Sequence, residues 1–400
     1  MKFGIIKERK TPPDRRAVLS PEACQEVMKQ FPRATFKVEP SPLRVFKDEA
    51  YTAAGVEVSH DLSDCDVLLG VKEVPVEALI PNKKYFFFSH TIKKQPYNRK
   101  LLQAVLEKNI ELYDHELITD QKGQRLVAFG RYAGIVGAYN GIRAYGLKTN
   151  QFTLPKAETL PNQQALVNAL RNITLPPIRI VLTGKGRVGN GAREMLEGMS
   201  VKEVDVQTYF TGTFEEAIYC QIDVQEYNSP LNGLHFDKMD FYKDPTAYVS
   251  DFMKFAVVSD LFIAGHFYGD GAPFLFTRED ARSPAFKIKV VADISCDIDG
   301  PVASTIRAST IADPIYGYDP YTEKEVDYLA PHAIAVMAVD NLPCELPADA
   351  SEGFGESFVK YVIPAFFNQD KDGILHRARM TLDGKLTEKY QYLQEYVSGE

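Results

Sequence analysis

Long apolar runs are missing from this chain. No stretch of its 400 residues approaches the roughly 20 apolar residues that cross a bilayer, so no membrane association is expected. The opening MKFGIIKERK holds an apolar run of only a few residues, too short for a secretory signal. Cysteine is sparse and scattered: Cys24, Cys65, Cys220, Cys296 and Cys344, with no CxxC pair. That spacing argues against a zinc site or a disulfide framework, so no metal is expected. Reduced thiols in a cytoplasmic protein are the simplest expectation. Blocks of like charge and low-complexity segments are absent too. The net charge of −8 leaves little for gripping a phosphate backbone, so nucleic acid is not an expected partner. With 45% hydrophobic and 25% charged residues, the balance is that of an ordinary folded chain. Its length exceeds one typical core, and two domains are expected.

One stretch organises the rest. Ile178–Ala192, IRIVLTGKGRVGNGA, begins as a β-branched apolar strand and turns into glycine at Gly184, Gly186 and Gly189. The run from Asn190 reads as a helix. Strand, GxGxxG, then helix is the context a dinucleotide fingerprint requires. The first glycine makes the tight turn, the second lets backbone approach a pyrophosphate, and the third lets helix pack on strand. Arg187 and Val188 complete the turn. The helix N-terminus then offers unpaired N–H groups and a positive dipole end. Asp205, about 21 residues past Gly184 at the end of VKEVD, stands where an acid holds a ribose diol. A carboxylate there repels a 2′-phosphate, so NAD is favoured and NADP disfavoured.

Before the fingerprint, strands and helices alternate. KFGIIKE, ATFKVEP, CDVLLGVKEV, KKYFFFSHTIK and IELYDHELI read as strands. Ser20 with Pro21 opens a helix over PEACQEVMKQF. The alternation predicts an α/β fold of two Rossmann-like domains with parallel sheets and an active site in the interdomain cleft. Arg125–Thr149 is glycine- and alanine-rich and reads mostly as a tightly packed helix crossing between domains. The predicted boundaries are 1–132 plus 335–400 for a discontinuous catalytic domain and 133–334 for the nucleotide domain. VVSDLFIAGHF and FKIKVVADISC are later strands of the latter, and Asp293 ends one of them, beside the expected nicotinamide.

In the first domain Lys72 follows CDVLLGV and His90 follows YFFFS. Each is a polar residue ending an apolar run, which places a titratable group at the lip of a sheet. Taken alone, Lys72 reads more often as a solvated surface lysine and His90 as a core histidine bonded to backbone. Arg15, Arg16, Arg125 and Arg131 are the available anion clamps, because a guanidinium fork suits carboxylates.

At GVKEVP (70–75), FFFSHTIK (86–93), RLVAFGRYAG (125–134), VVADISCDIDGPV (290–302) and AVDNLPCELPADASEGFGESF (338–358), the chain resembles a known family. These are the lysine-forming saccharopine dehydrogenases and the lysine–ketoglutarate reductase domain of aminoadipic semialdehyde synthase. The start also resembles alanine dehydrogenase and the transhydrogenase N-terminal domain. The resemblance implies a nucleotide domain inserted into the first domain, and oxidation of the secondary amine of saccharopine by NAD. Hydrolysis of the imine then yields lysine and 2-oxoglutarate, or the reverse reaction runs. It implies Lys72 as the base that takes the amine proton and His90 as the group handling proton transfers to water. Arg16 and Arg125 would bind substrate carboxylates, Glu73 and Glu116 would tune the catalytic pair, and Asp293 would lie by the nicotinamide. Glu73 also reads as a strand-end surface carboxylate and Glu116 as a helix cap. The expected partner is an amino-acid or keto-acid substrate, and the expected state a monomer or homodimer. An alanine-type or other opine-type dehydrogenase is the second reading, and a catalytically silent nucleotide-binding protein the third. The length leaves no room for the second enzyme of the fused synthases, and 206–250 is closer to the fused reductases than to the stand-alone enzymes.

Overall fold

The computed structural model describes residues 1–399. They divide into two compact units, Met1–Phe129 with Pro347–Glu400, and Gly130–Leu346. In the first unit, short apolar segments become strands because both faces are covered and near-continuous hydrophobic runs fit a doubly covered parallel sheet. They are β1 (Lys2–Ile5), β2 (Thr35–Val38), β3 (Glu57–Val58), β4 (Val67–Leu69), β5 (Lys84–Phe87) and β6 (Glu111–Asp114), in the order β3-β2-β1-β4-β5-β6. Every pairing is parallel. All six carboxyl ends therefore open on one edge, where ligands bind in such sheets.

Helices α1 (Pro21–Gln30), α2 (Asp48–Ala53) and α3 (Arg99–Glu107) connect the strands. The start of α1 follows from its sequence: the Ser20 side chain accepts a hydrogen bond from Ala23 N at 3.1 Å, and Pro21 occupies the first turn. Substituting such a cap by alanine costs about 1 kcal/mol. The helix Pro347–Tyr361 belongs to this unit, and its Ser351 hydroxyl accepts from Ala17 N at 2.9 Å.

The second unit starts with α4 (Gly130–Thr149), followed by α5 (Gln163–Arg171), the fingerprint strand β7 (Arg179–Thr183), α6 (Arg187–Gly198), β8 (Lys202–Glu203), α7 (Val206–Thr211) and β9 (Ile218–Ile222). A hairpin, β10 (Asn228–Pro230) with β11 (Tyr248–Ser250), precedes β12 (Leu261–Ala264), β13 (Val290–Asp293), β14 (Ile315–Asp319), β15 (Lys324–Val326) and β16 (Ile334–Met337). The large sheet runs β15-β14-β16-β13-β12-β7-β9-β8. It is not wholly parallel: β14 runs antiparallel to β16 and to β15. An antiparallel edge on a parallel sheet needs only a short connection in place of a crossover helix. The 206–250 segment supplies a fully buried strand, β9, second from one edge of the sheet and paired in parallel with β7 over its whole length.

Small residues let α4 lie against α6. A Cβ on Gly134 would overlap the Val188 carbonyl oxygen, and one on Gly191 would overlap that of Arg131. No helix among the described residues is long and apolar enough to cross a membrane.

Candidate functional site

In the first unit, the sequence-predicted residues collect on the carboxyl edge of the sheet. Arg16 lies in the loop after β1, Lys72 and Glu73 follow β4, His90 follows β5, and Glu116 follows β6. Strands β1, β4, β5 and β6 are consecutive neighbours, so the sheet order itself gathers these groups. His90 has φ +53, a left-handed conformation that turns the chain sharply at the strand end. Its Nδ1 lies 2.6 Å from Glu73 Oε1, and Lys10 Nζ reaches Glu73 Oε2 at 2.9 Å. Burial alone would raise the Glu73 carboxyl. The bonds from His90 and Lys10 outweigh it and hold the group at about 2. Glu73 is therefore a fixed anion with histidine and lysine on either side.

Arg16 is buried and grips Asp14 with two bonds, Nε to Oδ1 at 3.0 Å and Nη2 to Oδ2 at 2.6 Å. Its guanidinium lies 4.2 Å from the centre of the Phe129 ring. Burial works against the Asp14 charge, but Arg16 overcomes it and lowers the carboxyl below its usual range, with Lys72 adding in the same sense. Arg125 stands over the Phe88 ring at 5.9 Å. Glu116 donates its N–H to Asp114 Oδ1 at 2.8 Å, so Asp114 is the capping group there and the Glu116 side chain is not. Arg131 is a correction to the list of anion clamps. It lies on α4 in the second unit, where Nε and Nη2 clasp Glu194 at 2.8 and 2.6 Å.

The fingerprint glycines divide the labour by geometry. Gly184 has φ +89, a backbone state that side chains resist. A Cβ on Gly189 would overlap the Gly184 carbonyl oxygen, whereas one on Gly186 would meet nothing within 4 Å. The turn is thus closed below and open above, which fits a pyrophosphate resting on it. Gly186 is the N-cap of α6 with no side chain occupying the cap, and Arg187 and Val188 form the first turn. Asp205 lies two residues past β8 and caps α7, accepting from Thr208 N at 2.9 Å and Thr208 Oγ1 at 2.8 Å; these bonds hold its carboxyl below the usual range. It lines a cavity of 470 Å³ with Lys185 of the fingerprint loop, Gln221 and Glu226. Asp223 follows β9, the strand directly beside β7, but its carboxylate is committed to Lys238 at 2.5 Å and to Val224 N at 2.9 Å. Asp205, bonded within its own turn to Thr208, stays solvent-exposed at that cavity.

Asp293 ends β13 as the sequence analysis places it. Its side chain is fully buried and accepts from Ser295 N and Oγ, Cys296 N and Thr305 Oγ1. It therefore staples the loop after its strand. His266, which sequence reasoning missed, follows β12 and bonds Thr183 Oγ1 through Nδ1 at 2.7 Å. Burial holds it down to about 4 against the pull of Asp293, so it is neutral beside the fingerprint turn. Glu8, Lys10, Asp14 and His115 were missed in the first unit. Glu8 stands one residue past Lys7, which ends the apolar run of β1. Among the described residues no three His, Cys, Asp or Glu side chains gather as a metal centre.

Comparisons with known proteins agree with this architecture. Residues 4–136 match the family described as alanine dehydrogenase/PNT, N-terminal domain. The chain is 29% identical to the mitochondrial alpha-aminoadipic semialdehyde synthase of Rattus norvegicus over 96% of its length, and spans 46% of that relative. It therefore covers about half the length of such relatives. It is 27% identical to the saccharopine dehydrogenase [NAD(+), L-lysine-forming] of Candida glabrata, covering 94% of this chain and 97% of that one. A solved L-alanine dehydrogenase shares the fold, with TM-score 0.65, 16% identity and coverage of 99% and 100%. Residues 4–136 are thus similar to the alanine dehydrogenase/PNT N-terminal domain, and the chain over most of its length is similar to saccharopine dehydrogenases and aminoadipic semialdehyde synthases.

Proposed function

We propose that this chain is a nicotinamide-dependent oxidoreductase acting on a secondary amine of the saccharopine type, with NAD as its dinucleotide. The observation that carries this reading is the Lys72–Glu73–His90 group on the sheet edge, with Arg16 in the next loop. The open turn at Gly186 and the Asp205 cavity support the dinucleotide, and the names of the relatives support a nicotinamide cofactor. When bound, the nicotinamide supplies the hydride acceptor. Lys72 takes the proton of the substrate amine, and His90, poised by Glu73, moves protons to and from the water that opens the imine. Arg16 and Arg125 orient substrate carboxylates. The names of the relatives, rather than the geometry, select saccharopine, lysine and 2-oxoglutarate within the wider class.

Incubation of the purified chain with saccharopine and NAD should produce NADH, and lysine and 2-oxoglutarate should appear in equal amounts. Lys72→Met should depress turnover by about 10²–10⁴-fold, the usual worth of a positioned base, with NAD affinity retained. Turnover of alanine without turnover of saccharopine would overturn the assignment in favour of an alanine-type enzyme.

A further inference from the structure

Lys72 can act only if its backbone is held, and the structure shows how. Every peptide group of Gly70–Val71, and the N–H of Lys72, is committed. Gly70 N donates to Phe86 O at 2.9 Å, and Phe88 N donates to Val71 O at 2.9 Å. His115 Nε2 lies 2.9 Å from Gly70 O. Burial holds His115 at about 3, so the ring is neutral, and a nitrogen facing a carbonyl must carry the proton. On the other side stands Glu8. Its Oε1 accepts from Val71 N at 2.7 Å, and its Oε2 accepts from Lys72 N at 2.9 Å. One carboxylate thus takes two successive N–H groups, one on each oxygen.

We propose that Glu8 is the positioning residue for Lys72: its ionised carboxylate clamps the peptide that carries the lysine, and protonation releases one side of that clamp. The proposal rests on Lys72 being the proton acceptor in the reaction proposed above. Only the anion offers both oxygens as acceptors; a carboxylic acid turns one of them into a donor facing another donor. The charged groups acting on Glu8 are Asp14 and Arg16 from its own loop; from the β4 turn it meets the Val71 and Lys72 N–H groups. Burial pushes the carboxyl up to about 7, Asp14 pushes in the same direction, and the Val71 and Lys72 N–H groups and Arg16 pull against them. The clamp is therefore set above neutrality and loosened below it.

The test uses the full chain and the variant Glu8→Gln, whose amide keeps one acceptor and sets an NH₂ against the second N–H. In the wild type the ¹⁵N–H signals of Val71 and Lys72 should titrate together with a midpoint near 7, and in Glu8→Gln they should not. Turnover of the variant should fall by about tenfold to a hundredfold, the cost of a misplaced reacting group. KM for the dinucleotide should stay unchanged, because Glu8 lies in the other unit. Glu8→Asp retains the charge and should restore part of the turnover and a titrating signal at Val71 or Lys72. It also serves as the informative variant should Glu8→Gln not fold. Wild-type turnover and pH profile in Glu8→Gln, or a flat titration of both amides in the wild type, overturns the proposal. If the wild type turns over no saccharopine, the function proposed above fails while the amide titration still decides the clamp.

Discussion

The approach of α4 to α6 makes a sharp quantitative test. A methyl group placed on Gly134 overlaps the Val188 carbonyl oxygen and comes within 2.7 Å of Ala192 N. Neither obstacle is a flexible side-chain end; both are backbone of the first turns of α6, so the helices must separate. Relief of such an overlap takes a separation on the order of 1 Å, and a gap of that size forfeits roughly a quarter to a half of each contact's attraction. The face of α6 that loses contact includes Ala192, Met195 and Leu196, all fully buried. Overpacking of this kind costs about 1–3 kcal/mol, and the backbone obstacles place Gly134→Ala near the upper end. Alanine returns up to about 1 kcal/mol through its better helix propensity, leaving a net loss of about 2 kcal/mol. For a unit of this size the melting midpoint should fall by about 4–8 °C. The control is Gly186→Ala, whose Cβ meets nothing within 4 Å. That variant should melt like the wild type within the spread of cap substitutions, about 1 kcal/mol, yet bind NAD more weakly, because the methyl fills the space the pyrophosphate needs. Differential scanning calorimetry and NAD titration of both variants read the two effects separately. A Gly134→Ala protein with unchanged Tm, or a Gly186→Ala protein that loses Tm and keeps NAD, refutes the division of roles between the two glycines.

Two further outcomes follow from the site. Asp205→Ala should narrow the preference for NAD over NADP, read as the ratio of the two kcat/KM values, because the exposed carboxylate beside Lys185 is removed and the lysine remains for a 2′-phosphate; an unchanged ratio removes Asp205 from the ribose. Glu73 falls from the usual 4.5 to about 2 in the folded chain, so its charge stabilises the fold above the unfolded value and that contribution fades as pH drops through 4.5 towards 2. Wild type should therefore lose more stability than Glu73→Gln over that acid range, by at most about 3 kcal/mol at 1.36 kcal/mol per unit; parallel acid-unfolding curves would show that the His90 and Lys10 contacts contribute nothing to it.

How much of this was legible in the sequence depended on whether a signal was local. The fingerprint was, since Gly184, Gly186 and Gly189 act within one strand–turn–helix, and each has the steric environment its position demands. Helix α1 was as well, because Ser20 and Pro21 cap what they adjoin. Strand β9 was not. Its residues Ile218–Ile222 sit among polar neighbours, and only pairing with β7 decides that they form a buried strand. Arg131 shows the same limit at a single residue, since nothing local tells a clamp for substrate from a partner for Glu194, 63 positions away.

The catalytic edge lies between these cases. Polar residues ending apolar runs marked Lys72 and His90 correctly as residues of strand ends, because in a parallel sheet the end of each buried run lies on one common edge. The same rule, applied to KFGIIKE, stops at Lys7, one residue short of Glu8, which it passes over as another surface acid. What no single run could disclose is the strand order. Because β1 lies beside β4, the Glu8 carboxylate in the loop after one strand can take the two N–H groups that begin the turn after the other. His115, just past β6 and two strands along the same sheet from β4, bonds the Gly70 carbonyl of that turn. The chemistry proposed for Lys72 thus depends on sheet order as much as on lysine itself, and an alteration of Glu8 or His115 should disturb it without touching the Lys72 side chain.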